Sequence, residues 1–333
     1  MKKHFLLLIG LLSLLPVFAQ QNTTGKPAPK PLYRDPVYDG AADPTVIWNS
    51  LEKKWFMFYT NRRATDTVTG SVAWVHGTKI DIAESVDGAN WKYKGTADIN
   101  YQTNEGATYW APEVIEHKGI YHMYLTYVPG VFTDWKHPRN VIHLTSKNLI
   151  KWKYESTLKL VTDKVIDACV VQMPNGVWRM WYNNETDHKS VYYAFSADLY
   201  NWTDGQKAVF DQPGEGPKVF KWKGKYWMIT DVWQGLAVYS SDDMDTWTRQ
   251  PGDNLLALPG NGPDDGTEGG HCDVIVSANG RAYLYYFLHP GNTPKQSSIY
   301  QKQRSCLQVT ELEYKDGKVT CNRDNPTYVD LKR

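Results

Sequence analysis

Apolar and polar residues alternate in short runs along most of the chain, and no long segment repeats its apolar positions at a helical spacing. This alternation predicts half-buried β-strands, because successive strand side chains point to opposite faces. Five segments share one form, an apolar strand, a short polar turn and an aromatic-rich strand: 46–59, 114–127, 170–182, 219–229 and 274–286. Their turns hold Asn49-Ser50, Lys118-Gly119, Asn175-Gly176, Lys223-Gly224 and Asn279-Gly280, mostly residues suited to tight hairpins.

A second phrase comes after four of these hairpins. It reads Ser85, Asp87, Trp91; then Ser146, Asn148, Trp152; then Ser196, Asp198, Trp202; then Ser241, Asp243, Trp247. Each copy predicts a third strand running into a side-chain-capped turn, with the tryptophan opening a fourth strand in a structural role. A four-stranded unit repeated five times predicts an all-β fold, a five-bladed β-propeller, as one domain over residues 35–333. A β-sandwich offers no reason for the same phrase to recur in register.

Composition narrows the function. Aromatic residues reach 14%, with 14 Trp and 22 Tyr against 9 Phe, which favours rings with a polar handle and suits the walls of a wet pocket. Lys and Arg number 37 against 36 Asp and Glu, with no basic stripe, so nucleic acid is not the expected partner. Lys2-Lys3, an apolar run to Phe18 and small residues at Val17 and Ala19 predict a secretory signal peptide over 1–19, hence a secreted or periplasmic protein. The run is interrupted by Ser13 and Pro16 and is too short for a membrane span. Residues 20–34, rich in Gln, Thr, Lys and Pro, predict a flexible lead-in. Cys306 and Cys321 bracket a hairpin turn at Lys315–Lys318 and are expected to bridge; Cys169 and Cys272 sit in apolar runs and read as buried thiols.

In a propeller the first strand of each blade lines the central channel. At or just before the five inner strands stand Asp43, Glu113, Asp167, Glu215 and His271. Charges leading into buried strands must be paired, hydrogen-bonded or used. Two carboxylates across a sugar ring, one ionised and one protonated, are what glycoside hydrolysis requires, and a third acid tunes the donor.

The chain resembles the five-bladed propeller glycosidases of glycoside hydrolase family 43. The resemblance rests on Ala42-Asp43-Pro44, Tyr109-Trp110-Ala111-Pro112-Glu113, Val165-Ile166-Asp167, and Glu215-Gly216-Pro217 with Gly224-Lys225-Tyr226-Trp227. It implies an inverting hydrolase acting on an oligosaccharide or polysaccharide fragment, with Asp43 as base, Asp167 as modulator and Glu215 as acid. It also implies that His271 holds a structural calcium or an ordered water, with no cofactor needed for the chemistry. Glu113 stands where the family commonly has Asp. Gly269-Gly270-His271-Cys272-Asp273 and Arg62-Arg63 are also similar to the related family 117, which removes 3,6-anhydro-L-galactose and in which such a histidine joins the catalytic centre. The roles of His271 as metal ligand, water ligand or participant therefore stay open.

Arg62, with its fork of donors, and Trp110, Glu113, Tyr182, Asn183 and Trp233 complete the expected substrate pocket. The long segments 61–77 and 128–139 are expected to wall one side of it and make the enzyme exo-acting on terminal arabinofuranose or xylose, or on galactose-type sugars. The rival from another class is a sugar-binding propeller without catalysis. A phosphorylase would need more cations than Arg62 and Arg63, and no Gly-x-Ser-x-Gly elbow is present.

Overall fold

The computed structural model describes residues 23–67, 71–101, 106–209 and 211–332. The expected signal peptide lies outside them. The chain is all-β and forms five blades, each an antiparallel meander with its first strand innermost. The inner strands are Ala41–Asn49, Thr108–His117, Val165–Gln172, Glu215–Trp222 and Cys272–Val276. In blade 2 an extra short strand, Asp98–Asn100, pairs in parallel with the outer edge. No described helix is long and apolar enough to cross a membrane.

The repeated serine phrase builds the turn between third and fourth strands. Ser85 Oγ accepts the Gly88 N–H at 2.9 Å and Asp87 Oδ1 accepts those of Ala89 and Asn90 at 2.9 and 2.8 Å. Leu149, Leu199 and Met244 repeat the serine bond in the next three blades. The residue at that point has positive φ in all four, which costs Gly88 little and is tolerated by the others because their side chains are fully buried. Backbone donors to Asp87, Asp198 and Asp243 hold those carboxyls below their ordinary range.

The cores lie between blades rather than at one centre. Between blades 1 and 5 the join is made by Met57, Tyr59, Tyr283, Tyr285 and Val309, and Tyr285 donates to Gly88 O across it at 3.0 Å. Residues 26–33 of the segment expected as a flexible lead-in reinforce this join. Lys26–Pro27 pairs with Tyr328–Val329, Tyr33 bridges to Leu307, and Leu32 and Tyr33 are buried. Its apolar pair outweighs the Pro and Lys content that suggested mobility.

The expected Cys306–Cys321 bridge is also corrected: all four cysteines are free thiols. The Lys315–Lys318 hairpin forms, but Cys321 pairs with Leu312 while Cys306 pairs with Leu288. Six residues of strand separate Leu312 from Cys306, roughly 20 Å at strand rise, far beyond disulfide reach. Cys169 and Cys272 are buried, as expected.

Between blades 2 and 3, His122 and His143 stack at 5.2 Å with their ring nitrogens 2.9 Å apart, and Tyr124 stacks on His143. Burial lowers them to about 4 and about 3. Both are therefore neutral in the native state. Their contribution to stability is full above pH 6.5, the ordinary histidine value, and is lost as pH falls toward 4 and 3, at about 1.4 kcal/mol per pH unit for each ring. Urea titrations at pH 7 and pH 5 are expected to show this fall, and His143→Phe to flatten it.

Candidate active site

Four inner strands carry a two-residue bulge at the same place, 43–44, 111–112, 167–168 and 216–217. The first residue of each bulge has positive φ: Asp43 51°, Ala111 45°, Asp167 60° and Gly216 55°. A bulge re-aims side chains, and strain of this kind persists where the surroundings over-determine it. Blade 5 has no bulge, yet His271 occupies the same place. In each blade the residue two further on shares one layer, Thr45, Glu113, Cys169, Lys218 and Asp273. Three of these side chains accept an N–H from the next blade: Glu113 from Val170, Cys169 from Val219 and Asp273 from Val46.

This register corrects the expected ring of five equivalent residues. Asp43, Asp167 and His271 are equivalent, Glu215 precedes the bulge by one residue, and Glu113 lies two residues beyond Ala111. Glu113 therefore faces Lys218 at 3.0 Å in the deeper layer and forms no part of the pocket wall.

The pocket has a volume of about 620 Å³ and takes in Asp43, Asp167, Glu215, His271, Arg62, Trp110 and Trp233 from the sequence expectation. Nδ1 of His271 lies 3.8 Å from Asp43 Oδ1 and 4.0 Å from Asp167 Oδ2. The imidazole packs on Gly216, where a Cβ would fall 2.6 Å from the ring, so glycine is required for its approach. Arg62 donates to both oxygens of Asp43 at 3.0 and 3.3 Å. Its other nitrogen donates to His289 Nε2 at 2.9 Å, while His289 Nδ1 donates to Arg304 O. That chain fixes the neutral tautomer of His289, which burial lowers to about 4.

The carboxyls separate in acidity. Burial raises Asp43, but Arg62 and then His271 outweigh it, and the group is held below the usual range. Burial raises Glu215; Lys189, 3.5 Å away, opposes this, and nearby Asp43 adds to it, leaving Glu215 above its ordinary value. Burial together with Glu215 and Asp43 raises Asp167 strongly. A fourth carboxyl, Asp231, sits opposite Glu215 in the strand register and is pushed to about 7 by burial and by Glu215. It accepts the backbone N–H of His271 at 2.9 Å and of Trp233 at 2.8 Å.

Tyr182 and Asn183 are corrected as well. Tyr182 is buried between blades and donates to Asp204 at 2.6 Å, and Asn183 donates to Gly214 O at 2.5 Å. Neither reaches the pocket. The second strands explain why: Thr60, Thr126, Asn183 and Asp231 are equivalent, and three of them pin the N–H of residue 111, 167 or 271 in the next blade. Two residues later the chain reaches the channel mouth, at Arg62, Glu185, Trp233 and His289, all in the pocket wall. Aligning the second strands of the repeats would have found Glu185 and His289.

Trp74 and Val75 of the first long segment and Trp135 and Arg139 of the second form the opposite wall. Arg63 ties the first by donating to His76 O and Ala73 O at 2.8 and 2.6 Å. Arg139, paired with Glu185, ties the second by donating to Trp135 O at 3.0 Å. Between them Trp110 donates to Val75 O at 2.6 Å, with Trp135 6.0 Å from its ring.

The expected calcium does not fit His271. Calcium takes six to eight oxygen ligands. The two oxygens near this imidazole are engaged with Arg62 and the Gly216 N–H. Among the described residues no group of three or more His, Cys, Asp or Glu is gathered for a metal.

A propeller whose channel mouth holds an ionised aspartate, a glutamic acid with raised pKa and a tryptophan-lined pocket is built for carbohydrate chemistry. The chain belongs to glycosyl hydrolases family 43, whose model matches residues 33–319. It is accordingly a glycoside hydrolase. Solved structures agree in fold. A thermostable family-43 glycoside hydrolase is 19% identical, with 90% of this chain and 100% of that one covered at a TM-score of 0.65. A β-1,3-galactosidase of the family with galactodeoxynojirimycin is 17% identical, with 87% and 96% covered at 0.64. A xylan β-1,4-xylosidase from Bacillus halodurans C-125 is 15% identical, with 86% of this chain and 56% of that longer one covered at 0.62. Comparison with curated proteins gives no match.

Proposed function

We propose that this enzyme removes single terminal sugars from plant or algal polysaccharide fragments with inversion at the anomeric carbon. Asp43 takes a proton from the attacking water, and Glu215 donates one to the leaving oxygen. The observation that carries the reading is the opposite displacement of these two carboxyls within one pocket, Asp43 down and Glu215 up. Pushing two acids apart in this way assigns base and acid. Burial and the nearby Asp43 raise the donor, Glu215 in turn raises Asp167 and Asp231, and Asp167 accepts the Gly216 N–H beside the donor at 3.1 Å. Neutral His271 fills the space between base and modulator.

Exo action is the reading supported by the wall that Trp74, Val75, Trp135 and Arg139 raise on one side of the pocket. The leaving chain departs past Trp233, which is 42% exposed and borders both this pocket and a neighbouring groove of about 950 Å³. Trp233→Ala is expected to raise KM for oligosaccharides about tenfold, the loss of one stacking face. Aryl glycosides, which lack the chain, are expected to show a smaller change in KM.

Arabinofuranose, xylose and galactose are the candidate terminal sugars, the last two in keeping with the named activities of the similar structures. The central position of His271 favours adding anhydrogalactose from agar fragments. The test is a product assay of residues 20–333 on arabino-, xylo-, galacto- and agar-derived oligosaccharides. Release of one monosaccharide supports the reading. Binding without release makes the protein a sugar-binding propeller instead.

A further inference from the structure

We propose that the ammonium of Lys218 is the resident cation of the propeller channel, doing the work of a bound metal ion beneath the catalytic pocket. Lys218 lies two residues beyond Gly216, in the layer behind His271. Its Nζ stands 3.0 Å from Glu113 Oε2 of blade 2 and 2.8 Å from Asp273 Oδ1 of blade 5, with the side chain only 15% exposed. The remaining oxygens of both carboxylates are committed to neighbouring strands. Glu113 Oε1 accepts the Val170 N–H of blade 3 at 3.1 Å, and Asp273 Oδ2 accepts the Val46 N–H of blade 1 at 2.6 Å. One cation thus gathers all five inner strands.

The chemistry suits an ammonium and not a divalent ion. Lysine presents a compact charge with three donors, and two carboxylates facing it take up two. A calcium ion in the same place would need at least six oxygens, and the layer offers a thiol at Cys169 and the ammonium itself. Burying two carboxylates and one ammonium leaves the cluster short of positive charge, so removing the ammonium exposes both acids to mutual repulsion. Lys218 also bears on the pocket above it. Burial lowers His271, and after the opposing pull of Asp43 the charges of Arg62 and Lys218 lower it further, so the ring facing Asp43 and Asp167 stays neutral.

The test uses the intact chain and needs no substrate. Wild-type protein purified without chelator is analysed for metal, then melted in EDTA and in millimolar calcium chloride. The expected result is far less than one metal per chain and the same Tm in both. Stoichiometric calcium, or a Tm several degrees lower in EDTA, would overturn the proposal. Lys218→Met, which keeps the stem and loses the charge, is melted alongside. It is expected to lose about 5 °C or more and to recover part of that loss when Glu113→Gln is added, a response a purely packing lysine would not show. An unchanged Tm, or a loss that the second substitution does not touch, counts against the ammonium as the channel cation. Should the single variant fold poorly, the refolding yields of the single and double variants read the same question.

Discussion

Glu215→Gln is expected to lower kcat by roughly 100- to 10,000-fold on natural glycosides, the range that a positioned general acid contributes. The substitution keeps the size of the side chain and its bond from the Trp233 indole, but it has no proton to give. The loss should shrink on substrates whose leaving group departs unprotonated, such as activated aryl glycosides. Kinetics on one natural and one activated substrate check this. Equal losses on both would mean that Glu215 acts in some way other than as proton donor.

Asp43→Asn is expected to cost a similar factor on both kinds of substrate, because water must be activated whatever leaves. Arg62 explains the strength of the expectation. Its guanidinium, held by His289 and packed 4.6 Å over the Phe287 ring, keeps Asp43 ionised below the usual carboxylate range. The acid limb of the kcat/KM profile should thus fall below the ordinary aspartate value. The alkaline limb, set by Glu215, should lie above the ordinary glutamate value, since activity needs that group protonated. In Asp43→Asn the acid limb should disappear together with most of the rate. Preserved turnover would remove Asp43 from the mechanism.

Much of the architecture was legible because the chain repeats itself. Five apolar-turn-aromatic segments and four serine turns define blade number and strand order without any long-range information. Asp43, Asp167, Glu215, His271, Arg62, Trp110 and Trp233 could be placed near one channel mouth for the same reason. The register within each blade was not legible. A two-residue bulge displaces every later residue of its strand, so Glu113, one residue past its proline, belongs to the layer of Lys218 and not to that of Asp43. Glu185, the equivalent of Trp233 at the end of an unbulged second strand, was hidden behind the more conspicuous Tyr182 and Asn183. Asp231 escaped because it ends a second strand, whereas channel acids are expected where first strands begin. The cysteine pairing failed on register too, since bracketing a hairpin says nothing about which residues stand opposite.

The mechanism stands on Asp43 and Glu215 working as base and acid on opposite sides of a terminal sugar. Proton NMR of the sugar first released from the oligosaccharide that the product assay identifies probes this arrangement without altering the enzyme. The first anomer to appear should have the configuration opposite to that of the cleaved bond, with mutarotation following. A first product of retained configuration would make one of the carboxylates a nucleophile and contradict the assignment.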